Sequence, residues 1–298
     1  MATSDSDERT LVAPKRRGRN KQTPFLLQDT NAEAIRDNCH DNPTQISNPF
    51  ITHMIVKGGD AYHARKMMGF DKLPFTKSCI RFWTFNRWGQ TKTTVPGNGI
   101  SSDRVIFIGG GYEDWYDPDF MIYNDVVVFH IHTDAASEKE YPSNIIAIPQ
   151  RPGHEQPNEI SFYGYPADEF LPTDCHTATY YKEPAAKQEE DETTTGSAPM
   201  SPAKEWIYII GGMGYPDSGH RKETVTQRLN LHSYRIERVH PTGDVPPPYV
   251  PLLPEFSAQA KLENNDTIEV SWVTENRKDG KKQHRYGLYL PELRWKKL

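Results

Sequence analysis

Few side chains in this chain stand at spacings that could do chemistry. His130 and His132 alternate along an apolar run, so on a strand they would share a face and could hold a metal ion. Asp114, Asp117 and Asp119 could supply oxygen ligands to calcium, but they lack the glycine-containing spacing of an EF-hand loop. Asp174, Cys175 and His176 are adjacent, yet strand alternation sends neighbouring side chains to opposite faces and gives no Cys–His dyad. Asp168 and Glu169 form a carboxylate pair without an evident partner for acid–base work. The chain has no GxSxG, no phosphate-binding glycine loop and no HExxH. We therefore expect no catalytic residue, no metal and no cofactor, and look instead for a binding surface.

The elements that would carry such a surface are short strands. Arg104-Val105-Ile106-Phe107-Ile108-Gly109-Gly110 returns as Trp206-Ile207-Tyr208-Ile209-Ile210-Gly211-Gly212. Near-continuous apolar runs of this length imply a strand buried on both faces. Each follows a shorter strand, Gln90–Val95 or Cys175–Tyr181. Each precedes two more, Asn124–His130 and Glu159–Gly164 in the first unit, Thr224–Leu231 and Tyr234–Val239 in the second. We name these strands A to D. A third, weaker unit reads Phe256–Leu262, Thr267–Val273, Arg285–Leu290 and Leu293–Leu298, with no glycine pair after its B strand. Upstream, Ile51–Val56 also ends in a glycine pair, Gly58-Gly59, and Cys79–Phe85 reads as a D strand, so a partial N-terminal blade is expected there. A four-strand unit recurring in fixed order is the signature of a propeller blade. The glycine pairs Gly58-Gly59, Gly109-Gly110 and Gly211-Gly212 are expected to be structural, permitting positive φ and close packing.

Composition bounds the rest. The chain has 298 residues, 36% of them hydrophobic, with a formal net charge of −5. Its mean hydropathy is −0.76 and its pI about 6.1. An acidic chain is a poor general binder of nucleic acid. No apolar run has the length of a membrane span, and residues 1–12 lack the apolar core of a signal peptide. Cys39, Cys79 and Cys175 are odd in number and far apart, which reads as reduced thiols in a cytoplasmic or nuclear protein. Residues 1–24 read as a disordered basic tail, in which Pro14–Lys21 is a candidate nuclear import signal. Residues 25–298 read as one domain with a low-complexity loop insertion at 183–204.

The repeated unit resembles the kelch repeat, a β-propeller blade also found in the central domain of galactose oxidase. The matching residues are Gly109-Gly110 with Tyr123-Asn124-Asp125, Gly211-Gly212 with Tyr234, and Tyr286 with Trp295; His176-Thr177-Ala178-Thr179 resembles the family's A strand. Trp88-Gly89-Gln90-Thr91 and Glu113–Asp117 are similar to kelch-like modules associated with ankyrin-repeat proteins. The resemblance covers residues 80–298 and departs from the family in unit length, blade number and the missing third glycine pair. It implies an all-β kelch-type propeller of three four-stranded blades plus a partial one, four-bladed or incompletely closed. An incomplete ring could complete itself by forming a homo-oligomer.

In an up-and-down meander the BC and DA connections share one end of the blade. Those loops carry Tyr112, Glu113, Asp114, Trp115, Tyr116, Asp117, Tyr215, Asp217, His220, Asp168 and Glu169. Aromatics mixed with charge on loops of a rigid scaffold suit a protein partner. The expectation is a scaffold or adaptor binding a protein through this end. The alternative implied by the resemblance is a small-molecule or metal-dependent oxidase or lyase. A copper oxidase would need a Tyr–Cys cross-link and a His-rich copper site.

Overall fold

The described residues begin with helices, whose starts are capped by Asn31, Asn48 and Asp60 and whose ends by Asn38, Gly58 and Gly69. The computed structural model describes residues 25–70, 80–97, 102–112, 120–131, 160–184, 203–214, 223–248, 258–276 and 280–298. Helix α1 spans Ala32–Asp37, with Asn31 as its cap. A two-residue strand follows, β1, Thr44–Gln45. Helix α2, Pro49–Lys57, starts with the Asn48 side chain accepting from the amides of Phe50 and Ile51. It stops at Gly58, which is left-handed at φ 60° and donates back to Met54 and Ile55. Helix α3 spans Ala61–Met68.

The expected partial N-terminal blade is therefore absent from the described residues. Residues 51–59 form a helix and its cap, not a strand. Phe50, Ile51, Met54 and Ile55 are buried while Thr52 and Val56 face out, a helical spacing. Gly58 caps a helix, and Gly59 lies where a Cβ would meet the Met54 side chain at 2.9 Å. Of the D strand expected over 79–85, Phe82 forms only an isolated bridge to Asn31, and Cys79 lies outside the described residues.

Downstream the expected meanders form. Strands β2 (Thr91–Val95), β3 (Asp103–Ile108), β6 (Asp125–Ile131) and β7 (Ile160–Gly164) are A to D of the first unit. A short pair lies inside its BC connection, β4 (Gly111–Tyr112) with β5 (Met121–Ile122). The second unit is β8 (Thr177–Lys182), β9 (Glu205–Ile210), β10 (Thr226–Asn230) and β11 (Ile236–Val239). After β12 (Thr242–Gly243), the third is β13 (Gln259–Glu263), β14 (Thr267–Asn276), β15 (Gly280–Tyr289) and β16 (Arg294–Lys297). Spatial order is D-C-B-A in each of the three meander sheets, and within each meander all pairings are antiparallel. Two outer edges gain an extra strand: β1 beside β7, antiparallel, and β12 beside β16, parallel.

Side-chain alternation explains how the sheets stack. One face of the first sheet, with Phe107, Val127, Phe129 and Phe162, packs on the helices and on Trp83 and Phe85. Its other face, Ile106, Ile108, Val126 and Val128, packs on Ile207, Ile209, Leu229 and Ile236 of the second sheet. The second sheet's far face, Tyr181, Trp206, Tyr208 and Ile210, packs on Ile268, Val270, Trp272, Tyr286 and Leu288 of the third. The A strands converge, with β8 beside both β2 and β13.

The third unit looks weak in sequence for a physical reason. Its outer face is wet, carrying the ion pairs Lys261–Glu263 and Arg285–Glu269, so its strands alternate and lack a continuous apolar run. Among the described residues no sheet closes on itself, and the stack runs from a helical cap to an ionic face. Ile207, fully buried between the first two sheets, should lose about 2–5 kcal/mol as Ile207→Ala in a denaturant melt. By contrast Arg285→Ala, at an exposed pair, should cost no more than about 1 kcal/mol.

Candidate functional site: the BC/DA end

The BC and DA connections meet where the DA segment 173–176 crosses between two glycine pairs. The Gly110 amide donates to the Thr173 carbonyl at 2.9 Å, and the Thr173 amide to the Tyr123 carbonyl at 3.1 Å. On the other side the Met213 amide donates to the Asp174 carbonyl at 3.0 Å. Gly109 and Gly212 have φ of 56° and 83°. A Cβ at Gly109 would sit 2.5 Å from the Thr173 carbonyl oxygen, and one at Gly212 2.6 Å from that of Asp174. Glycine is required here both for the left-handed backbone and for the space.

The Tyr123-Asn124-Asp125 run holds the same end together with three separate contacts. The Asn124 amide donates to the carbonyls of Tyr165 and Phe170 at 2.8 and 3.1 Å, fixing the turn after β7. Asp125 takes a bidentate pair from Arg87 at 2.5 and 2.9 Å and a bond from the Trp83 indole at 2.8 Å. The Arg87 guanidinium also donates to the carbonyls of Thr84 and Gly109, and lies 3.4 Å from the Tyr123 ring centroid. Both Arg87 and Asp125 are buried. Burial makes such a pair costly to break rather than strongly stabilising in itself.

The Asp174-Cys175-His176 run is spent on architecture. The His176 Nε2 lies 2.8 Å from the Thr91 hydroxyl. The Cys175 amide donates to the Gly89 carbonyl at 2.8 Å, and Cys175 itself is left-handed at φ 51°. Burial, then the Asp174 charge, pushes the Cys175 thiol up to about 11, which favours its protonated form at neutral pH. Cys39 is likewise pushed up to about 11, first by burial and then by Asp125 and Asp37.

The expected partner-binding residues are distributed as follows. Tyr112 is half-buried in β4, packed against the helical cluster. Asp168 and Glu169 are exposed in the turn after β7, and Glu169 accepts from the Asn42 amide at 3.1 Å. Glu113, Asp114, Trp115, Tyr116 and Asp117 lie outside the described residues, as do Tyr215, Asp217, His220, Asp119 and His132. His130 Nε2 is 3.4 Å from the Ser161 hydroxyl. Among the described residues no three metal-ligating side chains gather.

Sequence reasoning assigned no role at this end to two residues, Arg87 and Trp88. Arg87 gives no signal of its own; only the buried aspartate at the start of a C strand calls for a cation. Trp88 is 39% exposed and pairs its backbone with Gly111, both bonds at 2.9–3.0 Å. A Cβ at Gly111 would meet the Trp88 ring at 2.9 Å, so the indole packs closely on that glycine. No protein-family model matches the chain, and no curated protein matches it.

Two measurements check this geometry. Arg87→Met leaves the buried Asp125 carboxyl with the Trp83 indole but without its cation and should cost about 3–5 kcal/mol in a denaturant melt. Cys175, read by peptide mass spectrometry at pH 8, should alkylate roughly 100-fold more slowly in the folded than in the unfolded chain. The folded thiol titrates above its ordinary value of 9.0, so its contribution to stability is complete below pH 9 and is lost as pH rises toward 11.

Proposed function

We propose that the chain is a protein–protein interaction scaffold. It presents kelch-like propeller blades and engages its partner through their BC and DA loops. Trp88 carries the proposal: a partly exposed tryptophan whose backbone is pinned to Gly111 by two hydrogen bonds is the kind of anchor that dominates binding energy at interfaces. The sequences of the two BC connections add more aromatics and acids, from Tyr112 to Asp117 and from Tyr215 to His220. The reading of the meanders as kelch-type blades rests on their repeated D-C-B-A order, on the glycine pairs and on the Tyr123-Asn124-Asp125 start of the C strand. We place the protein in the cytoplasm or nucleus, with Pro14–Lys21 as import signal in the latter case.

The test is affinity purification with mass spectrometry, comparing wild type with Trp88→Ala and with Trp115→Ala/Tyr116→Ala. A specific partner should be recovered at least tenfold less with each variant while the melting temperature stays within about 2 °C. Undiminished recovery contradicts the proposal, and so does loss of folding. Stoichiometric copper or iron in the purified protein would favour an oxidase instead.

A further inference from the structure

The outer edges of the three sheets are sealed in two different ways. In the first, β1 covers β7; in the third, β12 covers β16. In the second, no strand covers β11 among the described residues, and a side chain takes the place of one. The Asn42 Nδ2 donates to the Ile236 carbonyl at 2.7 Å, and the Ile236 amide donates to the Asn42 Oδ1 at 2.8 Å. A primary amide thus supplies the donor and acceptor that a neighbouring peptide group would supply. The residues are 194 apart in sequence, so this is no local turn.

The same segment reaches the next sheet. Thr44 and Gln45 pair with Gly164 and Tyr163, and the Ile46 amide donates to the Phe162 carbonyl at 3.0 Å. Residues 42–46 therefore strap the rims of the first two sheets together. Beyond Ile236 the outward-facing backbone is that of Arg238, because the Arg235 carbonyl already accepts from Asn230 and orientation alternates. Arg238 is exposed. Exposed edge strands recruit other strands unless something blocks them, and a short edge is complementary to itself under a two-fold axis.

We propose that Asn42 guards the β11 edge, and that removing its amide opens the edge to strand addition by a second copy of this chain. The test uses the full chain. Asn42→Ala should lower the protection of the Ile236 amide at least tenfold in hydrogen exchange. Its mean mass by light scattering should rise with concentration over a range where the wild-type mass does not. Adding Arg238→Pro, which removes the outward N–H at an edge position that tolerates proline, should restore the wild-type mass. Asn42→Asp keeps the acceptor but loses the donor and sets a second carboxylate beside Glu169, to which the Asn42 Nδ2 also donates at 3.1 Å, so it should associate as Asn42→Ala does. Unchanged protection of Ile236, a mass that does not respond to Asn42→Ala, or an Asn42→Asp chain indistinguishable from wild type would each overturn the proposal. These readouts are independent of partner capture at the BC/DA end.

Discussion

A single crossing sets the geometry of the first two sheets. The segment Thr173–His176 must leave the rim of one sheet and start the inner strand of the next, and its way lies between Gly109-Gly110 and Gly211-Gly212. Its carbonyls and amides bond to both B strands there, through Gly110 and Met213. A side chain on Gly109 or Gly212 would occupy the space of that backbone. The sheets can face each other across Ile106, Val128, Ile207 and Ile209 only because this passage is so tight. Asn124 and the Arg87–Asp125 pair then fix the surrounding turns, so the loops at this end stand on a rigid base.

Burial of both faces is the second constraint. The first sheet is covered by the helices and the second sheet, and the second by the first and third, so their B strands are apolar on both faces after the opening Asp103-Arg104 and Glu205. The third sheet has one wet face, with Lys261, Glu263, Glu269 and Arg285 on it, and so terminates the stack. A repeat array needs such an end to remain soluble, because an uncovered apolar face would recruit further sheets. The helical cluster around Phe50, Met54 and Phe82 does the same work at the other end.

Much of this was legible in residue order. The apolar run with its glycine pair marks strands β3 and β9 to within two residues, and the order of the A, C and D strands around them follows. The third meander was readable despite lacking the glycine pair. What misled was Ile51–Gly59, where an apolar run and a glycine pair copy the strand signal; the cap Asn48-Pro49 and the spacing of Phe50, Ile51, Met54 and Ile55 decide for a helix. Strands β1 and β12 are two residues each and too short to leave a periodicity. Arg87, Asn42 and Trp88 act through partners 38, 194 and 23 residues away, and no local pattern encodes such pairings.

The crossing is the claim on which the stack depends, and paired glycine substitutions test it most directly. Gly69 and Gly212 are both left-handed, at φ 80° and 83°, so alanine carries the same backbone penalty at each. Among the described residues a Cβ at Gly69 meets nothing within 4 Å, whereas one at Gly212 meets the Asp174 carbonyl at 2.6 Å. In calorimetric melting, Gly69→Ala should lose about 1–2 kcal/mol and Gly212→Ala should lose at least about 2 kcal/mol more. Equal losses at the two positions would contradict the account.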